Sequence, residues 1–301
     1  MADDRPVPPR RRRSSGRRIN VFYLPALILI VTFIGYPFVR GIAYSVTDWD
    51  GFSQTFSFVG LDQYARMLSD RRVVTVLVNT LIYAVGSTIL QNVIGLAYAL
   101  LLDQKLRGSS VVRTIVYLPI IVSNLIMGYI WYFMVRFNGG ALNEFLGAFG
   151  QDPVNPLADR NLAVLVIVLA NTFQYVGVAM VLYLSGLQSI PRSLLEAAEI
   201  DGASPWLRFW HVTFPLLAPS VTISVLVNVI GGLNIFAVII ALTNGGPGYS
   251  SASLGTITYQ LYFGEQNAGY AAALGILTFS IAAVVGLTTL RFLRRREVDI
   301  S

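Results

Sequence analysis

Six apolar runs, near residues 22–47, 75–102, 111–135, 162–187, 215–242 and 268–291, constrain this chain more than any other feature of its sequence. A helix needs roughly 20 uncharged residues to cross a hydrocarbon core of about 30 Å. In lipid the backbone must satisfy its hydrogen bonds within the segment, and none of the runs shows the two-residue alternation of a barrel strand. The reading is an all-α integral membrane protein with six transmembrane helices. A composition of 54% hydrophobic and 13% charged residues over 301 positions agrees with lipid as the main solvent. Pro25, Pro37, Pro119 and Pro215 lie within or at the ends of these runs, where bundles in lipid tolerate a kink, so they blur boundaries without removing spans.

The cationic residues set an orientation. The N-terminal tail carries seven (Arg5, Arg10, Arg11, Arg12, Arg13, Arg17, Arg18), the 103–113 loop three (Lys105, Arg107, Arg113), the 188–214 loop two (Arg192, Arg208) and the C-terminal tail four (Arg291, Arg294, Arg295, Arg296). The opposite loops hold Arg66, Arg71, Arg72, Arg136 and Arg160, with Arg40 near the outer end of the first run. The positive-inside rule then places both termini and the 188–214 loop in the cytoplasm. The expected organisation is a basic cytoplasmic tail at 1–20, a six-helix membrane domain at 21–294 and a short cytoplasmic tail at 295–301. The first run is too long for the apolar core of a signal peptide. Arg10 to Arg13 therefore read as a topology anchor, and no nucleic-acid partner is expected.

Several chemistries are excluded. The chain has no cysteine, His211 is its only histidine, and no G-x-x-x-x-G-K-[ST] loop occurs. Thiolate ligation and cysteine nucleophiles are absent, a histidine metal site or serine-histidine relay has little to be built from, and ATP hydrolysis by this chain alone is not expected. No cofactor is expected to be bound by it. The cores of the second to sixth runs also lack ionisable residues, which argues against an ion-driven carrier.

The runs do contain uncharged amides at depth. Asn124, Gln174 and Asn228 fall near the middle of the third, fourth and fifth runs, Phe173 and Tyr175 flank Gln174, and Asn234 lies further out in the fifth. A single such amide reads as an interhelical hydrogen bond, worth only about 0.6–2 kcal/mol. Three at one level in successive runs point to a polar, aromatic-lined cavity suited to an uncharged, hydroxylated solute, because amides both donate and accept. Gln91 and Asn92 on the second run read as packing residues.

A polar island, Glu196-Ala197-Ala198-Glu199-Ile200-Asp201-Gly202-Ala203, interrupts the apolar pattern. The spacing predicts a helix over 193–200 with Pro191 near its start, a turn at Gly202, and a second helix opened by Pro205 and running toward His211. A helix resting on lipid headgroups wants a basic face. Glu196, Glu199 and Asp201 make this one acidic, so a docking element for a protein partner fits better.

The run E-A-A-x-I-D-G-A-x-x-W-x-x-F, followed by V-x-F-P at 212–215, resembles the EAA loop of the inner-membrane permease subunits of ABC importers. Glu196, Ala197, Ala198 and Gly202 match that pattern with its spacing, and Val212 and Phe214 stand where the family usually has Ile and Leu. Ile200, Asp201, Trp206 and Phe209 are similar to the carbohydrate-uptake branch. Thr243-Asn244-Gly245-Gly246-Pro247 and Gly269-Tyr270-Ala271-Ala272-Ala273-Leu274 resemble segments of the first permease subunit of maltose- and glycerol-phosphate-type systems.

This resemblance, over about residues 20–295, implies an ABC importer type I permease-like fold in a prokaryotic cytoplasmic membrane. It implies three partners: a second homologous permease, a cytoplasmic ATPase dimer that uses ATP, and an extracytoplasmic sugar-binding protein. Glu196, Ala197, Ala198, Asp201, Gly202 and Pro215 would couple to the ATPase. The segments carrying Asn124, Phe173, Gln174, Tyr175, Asn228, Gly232 and Asn234 would line the substrate pathway. The competing readings are a permease of the same type for glycerol phosphate, amino acids or peptides, and an ion-coupled secondary carrier.

Overall fold

The computed structural model describes residues 23–104 and 107–295. The basic tail at 1–20, Lys105, and the tail beyond Arg295 lie outside the described residues. Among the described residues the regular structure is helical, with one isolated bridge between Thr47 and Phe58 in place of any strand.

Four helices are long and apolar enough to cross a membrane unbroken: α1 (Leu24–Tyr44), α3 (Arg71–Asp103), α7 (Arg160–Ser189) and α13 (Ala268–Arg294). The short helix α2 (Asp62–Ser69) precedes α3. The third predicted span is not one rod but α4 (Ser109–Ile121) and α5 (Asn124–Val135), which meet at 102°. The fifth is α9 (Pro205–Leu216) and α10 (Ala218–Leu233), bent by 67°, followed by the separate α11 (Ala237–Leu242). Between these lie α6 (Ala141–Ala148), α8 (Arg192–Ile200) and α12 (Leu254–Tyr259). Counting each bent pair as one span gives six, in agreement with the six apolar runs.

Local chemistry explains the ends and breaks. Asp70 caps α3 by accepting from the Arg72 N–H at 2.9 Å, and Asp159 caps α7 by accepting from the Leu162 N–H at 2.9 Å. In α1, Pro37 is absorbed without a break: the helix widens over Val31–Gly35, where the Tyr36 N–H reaches the Val31 carbonyl five residues back. Between α4 and α5 the backbone of Val122 and Ser123 is extended, and the Ser123 hydroxyl caps the next helix.

Burial ranks the spans. The most apolar stretch of α7 is 67% buried, that of α3 44%, that of α13 22%, and that of α1 not at all. The bundle is thus built on α7 and α3, with α1 on the outside presenting its apolar side chains to lipid or to a neighbour. The axes of α3 and α7 come close where Gly95 lies: a Cβ there would stand 2.6 Å from Ala179 Cβ and 2.9 Å from the Met180 nitrogen. Small residues at such crossings let helices in lipid gain dispersion energy without a hydrophobic driving force.

At the end remote from the 188–214 loop, a polar clasp joins three elements. Arg72 pairs with Asp70 at 3.0 Å and with Glu265 at 2.8 Å, while the Tyr270 hydroxyl donates to Asp70 at 3.2 Å. Burial works against the Asp70 carboxylate, but the Arg72 hydrogen bonds and charge, with Tyr270, hold its pKa below the ordinary value. The segment after Pro247 is tied to α3 nearby: Asn79 Nδ2 donates to the Ser250 and Ala252 carbonyls at 2.7 and 3.2 Å, and the Tyr83 hydroxyl to the Ser251 carbonyl at 2.8 Å.

Candidate functional site

Two features stand out, one at the surface and one inside the bundle. The surface feature is the polar island. It folds as α8, a turn and α9, with boundaries close to the predicted 193–200 helix and the Pro205 start. The turn closes through Asp201 N–H to the Ala197 carbonyl at 2.9 Å and Ala203 N–H to the Ala198 carbonyl at 3.0 Å. Gly202 stands in the left-handed region at φ +79°, with no atom near where a Cβ would be. Its glycine is required by conformation, not by crowding. Ser204 then caps α9, its hydroxyl accepting from the Leu207 N–H at 3.3 Å.

This hairpin of helices presents an open surface. Glu196, Ala197, Asp201 and Gly202 are exposed, and Ala198 and Pro215 are half-buried. Glu199 bridges to Arg208 at 3.1 Å, linking the two helices at an exposed position. Beside the carboxylates lies uncovered apolar surface, with Ile200 86% and Trp206 71% exposed. Behind it Phe209, Trp210 and Phe214 pack ring to ring at centroid distances of 5.1–5.9 Å. Exposed carboxylates beside uncovered apolar side chains are the chemistry of a surface that can dock against another protein.

The interior feature is a cavity of about 330 Å³ at mid-bundle. Of the seven residues expected to line a pathway, six meet there: Asn124, Gln174, Tyr175, Asn228, Gly232 and Asn234. Phe173 does not. One residue along α7 turns a side chain by about 100°, and the Phe173 ring faces outward, 51% exposed and 6.2 Å from Trp131. Two amides in the wall were not expected there: Asn171, and Gln91, read from the sequence as packing. Its neighbour Asn92 does pack, donating to the Thr88 carbonyl and accepting from the Tyr183 hydroxyl, both at 2.7 Å.

The cavity exists because two spans are broken beside it. Val122–Ser123 interrupts α4 and α5 on one side, and Asn234–Phe236 interrupts α10 and α11 on another. Non-helical backbone at membrane depth is stable only where protein or a polar cavity satisfies it. Gln174 does part of this, its Nε2 donating to the Val122 carbonyl at 2.8 Å and to Asn124 Oδ1 at 3.1 Å. Tyr175 adds a hydroxyl to the same Asn124 oxygen at 2.8 Å, and Asn234 Nδ2 donates to the Ile230 carbonyl at 2.8 Å. No charged side chain is among the described residues of the lining. A larger groove of about 590 Å³, walled by Phe38, Trp49, Tyr259 and Phe279 among others, has no amide in its lining and offers little to orient a polar solute.

The chain resembles known transport proteins along nearly its whole length. It is 32% identical over 277 residues to the multiple sugar-binding transport system permease protein MsmF of Streptococcus mutans, covering 92% of this chain and 95% of that protein. It is 34% identical over 274 residues to the trehalose/maltose transport system permease protein MalF of Thermococcus litoralis, covering 91% and 92%. A crystal structure of a bacterial ABC transporter involved in the import of the acidic polysaccharide alginate shares the fold at a TM-score of 0.79 and 24% identity, over 91% of this chain and 94% of that one. Residues 91–298, which include the cavity, the helical hairpin and the last span, match the family described as binding-protein-dependent transport system inner membrane component, and the chain belongs to that family of multi-pass membrane proteins.

Proposed function

We propose that this chain is the permease subunit of an ATP-driven sugar importer, supplying half of the translocation pathway and the contact through which the ATPase drives it. The observation that carries the reading is the mid-bundle cavity, lined by Gln91, Asn124, Asn171, Gln174, Tyr175 and Asn228 and by no charged side chain among the described residues. Amides, a phenol and apolar walls suit a neutral polyol, whereas an anionic cargo calls for a cation in the wall.

In this reading both termini and the 188–214 hairpin face the cytoplasm, as the arginine distribution predicts. The exposed Glu196, Ala197 and Asp201, with the half-buried Ala198 beside them, enter a groove on the ATPase, Gly202 shapes the turn, and Pro215 lies where the hairpin leads into the bundle. ATP is bound and hydrolysed by that partner, and this chain contributes no catalytic residue and no cofactor. Movement of the hairpin, passed through the bend at Leu217 into α10, tilts one wall of the cavity. A second permease moving in the same way alternates access between the two membrane faces. A binding protein delivers the sugar from outside.

The test is Glu196→Lys in the complete transporter. Sugar-dependent uptake and binding-protein-stimulated ATP hydrolysis are expected to be lost while the chain remains inserted. Unchanged uptake together with normal ATPase association would remove the hairpin from the coupling path. Uptake in proteoliposomes holding this chain alone would replace the importer with a self-sufficient carrier.

A further inference from the structure

Gln91 on α3 carries an unspent acceptor. The residue is 1% exposed and lines the cavity. Its Nε2 donates to the main-chain carbonyl of Asn171 at 3.0 Å. That contact fixes which way the amide points, because only the NH2 side can face a carbonyl. Oε1, on the other side, is buried and meets no donor. One turn earlier, Thr88 Oγ1 is also buried without a partner. Buried polar atoms are nearly always paired, so an orphan oxygen on a residue of the cavity wall needs an explanation.

No side chain supplies it in the structure: neither the amides of the wall nor the Thr88 hydroxyl donates to Gln91 Oε1. Gln174 Nε2 donates to the Val122 carbonyl and to Asn124 Oδ1, and both ends of the Asn92 amide are engaged. A hydroxyl brought in by a solute has the donor that Gln91 lacks.

We infer that Gln91 Oε1 accepts a hydrogen bond from one hydroxyl of the carried solute, and so makes Gln91 a specificity residue that favours hydroxyl donors over oxygens that can only accept. Carboxylates and phosphoesters fall in the disfavoured class, since they would set lone pair against lone pair. A site built to hydrogen-bond a hydroxyl rejects analogues without it, because the buried partner is left unpaired. The inference rests on the sugar-import reading.

The test uses the complete transporter, with partner permease, ATPase and binding protein, in proteoliposomes. Uptake of maltose, trehalose and raffinose identifies a carried probe, and singly deoxyfluorinated forms of that probe are then compared in wild type and Gln91→Met. Fluorine keeps the size of a hydroxyl and removes its donor. The same binding protein serves both transporters, so its own preferences cancel in the comparison. One fluorinated position is expected to lower wild-type uptake by about five- to tenfold, with that penalty reduced to within about twofold in Gln91→Met. Equal penalties at every position in both transporters would overturn the inference and leave sugar import standing. Uptake of none of the three sugars by wild type would overturn the import reading itself, and the inference with it. Should Gln91→Met fail to accumulate in the membrane, Gln91→Asn shortens the reach by one methylene, and the same loss of discrimination is expected.

Discussion

Gly231 and Gly232 are adjacent in the last turn of α10, both line the cavity, and the structure gives them opposite roles. A Cβ at Gly232 would stand 2.6 Å from the Ala84 Cα and 3.3 Å from the Ala84 nitrogen and Ser87 Oγ, whereas a Cβ at Gly231 would meet nothing within 4 Å. Two carbons settle at about 3.5–4.0 Å, so Gly232→Ala forces α10 and α3 apart by roughly 1 Å. The atom in the way is backbone, which cannot swing aside. Overpacking of this kind costs about 1–3 kcal/mol. Replacing glycine by alanine in a helix also returns up to about 1 kcal/mol, and that gain is shared by both variants.

The difference between the two therefore isolates the packing cost. Gly231→Ala is expected to melt at or slightly above wild type. Gly232→Ala is expected to melt lower than Gly231→Ala by about 2–12 °C, taking about 2–4 °C per kcal/mol for chains of this class. Thermal denaturation of the purified protein in one detergent, read by size-exclusion of the surviving monomer, measures both. Equal melting temperatures would refute the close approach of α10 to α3 and return Gly232 to a pathway role alone. Uptake is the wrong readout for this pair, because a methyl at either position narrows the cavity.

Other expectations follow from single contacts. Asn124→Leu removes the oxygen shared by Gln174 and Tyr175 and should lower stability by about 1–2 kcal/mol; Tyr175→Phe should then cost nothing further in that background, and additive losses in the double variant would show the three are not coupled. Asp70→Asn breaks the clasp at the end remote from the hairpin. Because the Asp70 pKa is lowered in the folded protein, its contribution is present above the unfolded value of about 3.9 and is lost as pH falls below it. The melting gap between wild type and Asp70→Asn should accordingly be flat from pH 7 to 5 and close below about pH 4; a gap that changes between pH 7 and 5 would assign it to another group. Asn79→Leu strands the Ser250 and Ala252 carbonyls and should speed hydrogen exchange of the amides at 250–254, with unchanged exchange there arguing that the loop holds itself.

How far the fold can be read from the sequence depends on what lipid forces. Composition in a span is dictated by the solvent, so α1, α3, α7 and α13 run close to the apolar stretches that announce them. Breaks are different, because the residues that cause them are ambiguous alone. Pro37 widens α1 without ending it, while Pro119 precedes a 102° bend. What separates the cases lies elsewhere in the chain: the extended Val122 carbonyl has a donor waiting in Gln174, 52 residues away. The hairpin is legible for the opposite reason, since a helix stop at Gly202 and a start at Pro205 are local chemistry that needs no distant partner.

The site shows the same division at finer grain. Depth along a helix is legible, and it brings Asn124, Gln174, Asn228 and Asn234 to one cavity. Rotation about the helix is not, because the side chain that faces inward depends on what its neighbours present. Phe173 and Gln174 share a depth and point to different solvents; Gln91 and Asn92 share a chemistry and differ because the Tyr183 hydroxyl closes one amide and the Asn171 carbonyl half-closes the other. The polar residues of these spans consequently carry two kinds of work that sequence alone does not separate. Gln174 holds open backbone that the bend at Val122 exposes, and Gln91 keeps an acceptor in reserve. Since the bend makes the cavity, removal of the Gln174 amide is expected to act on the shape of the site, and removal of the Gln91 amide on what the site chooses.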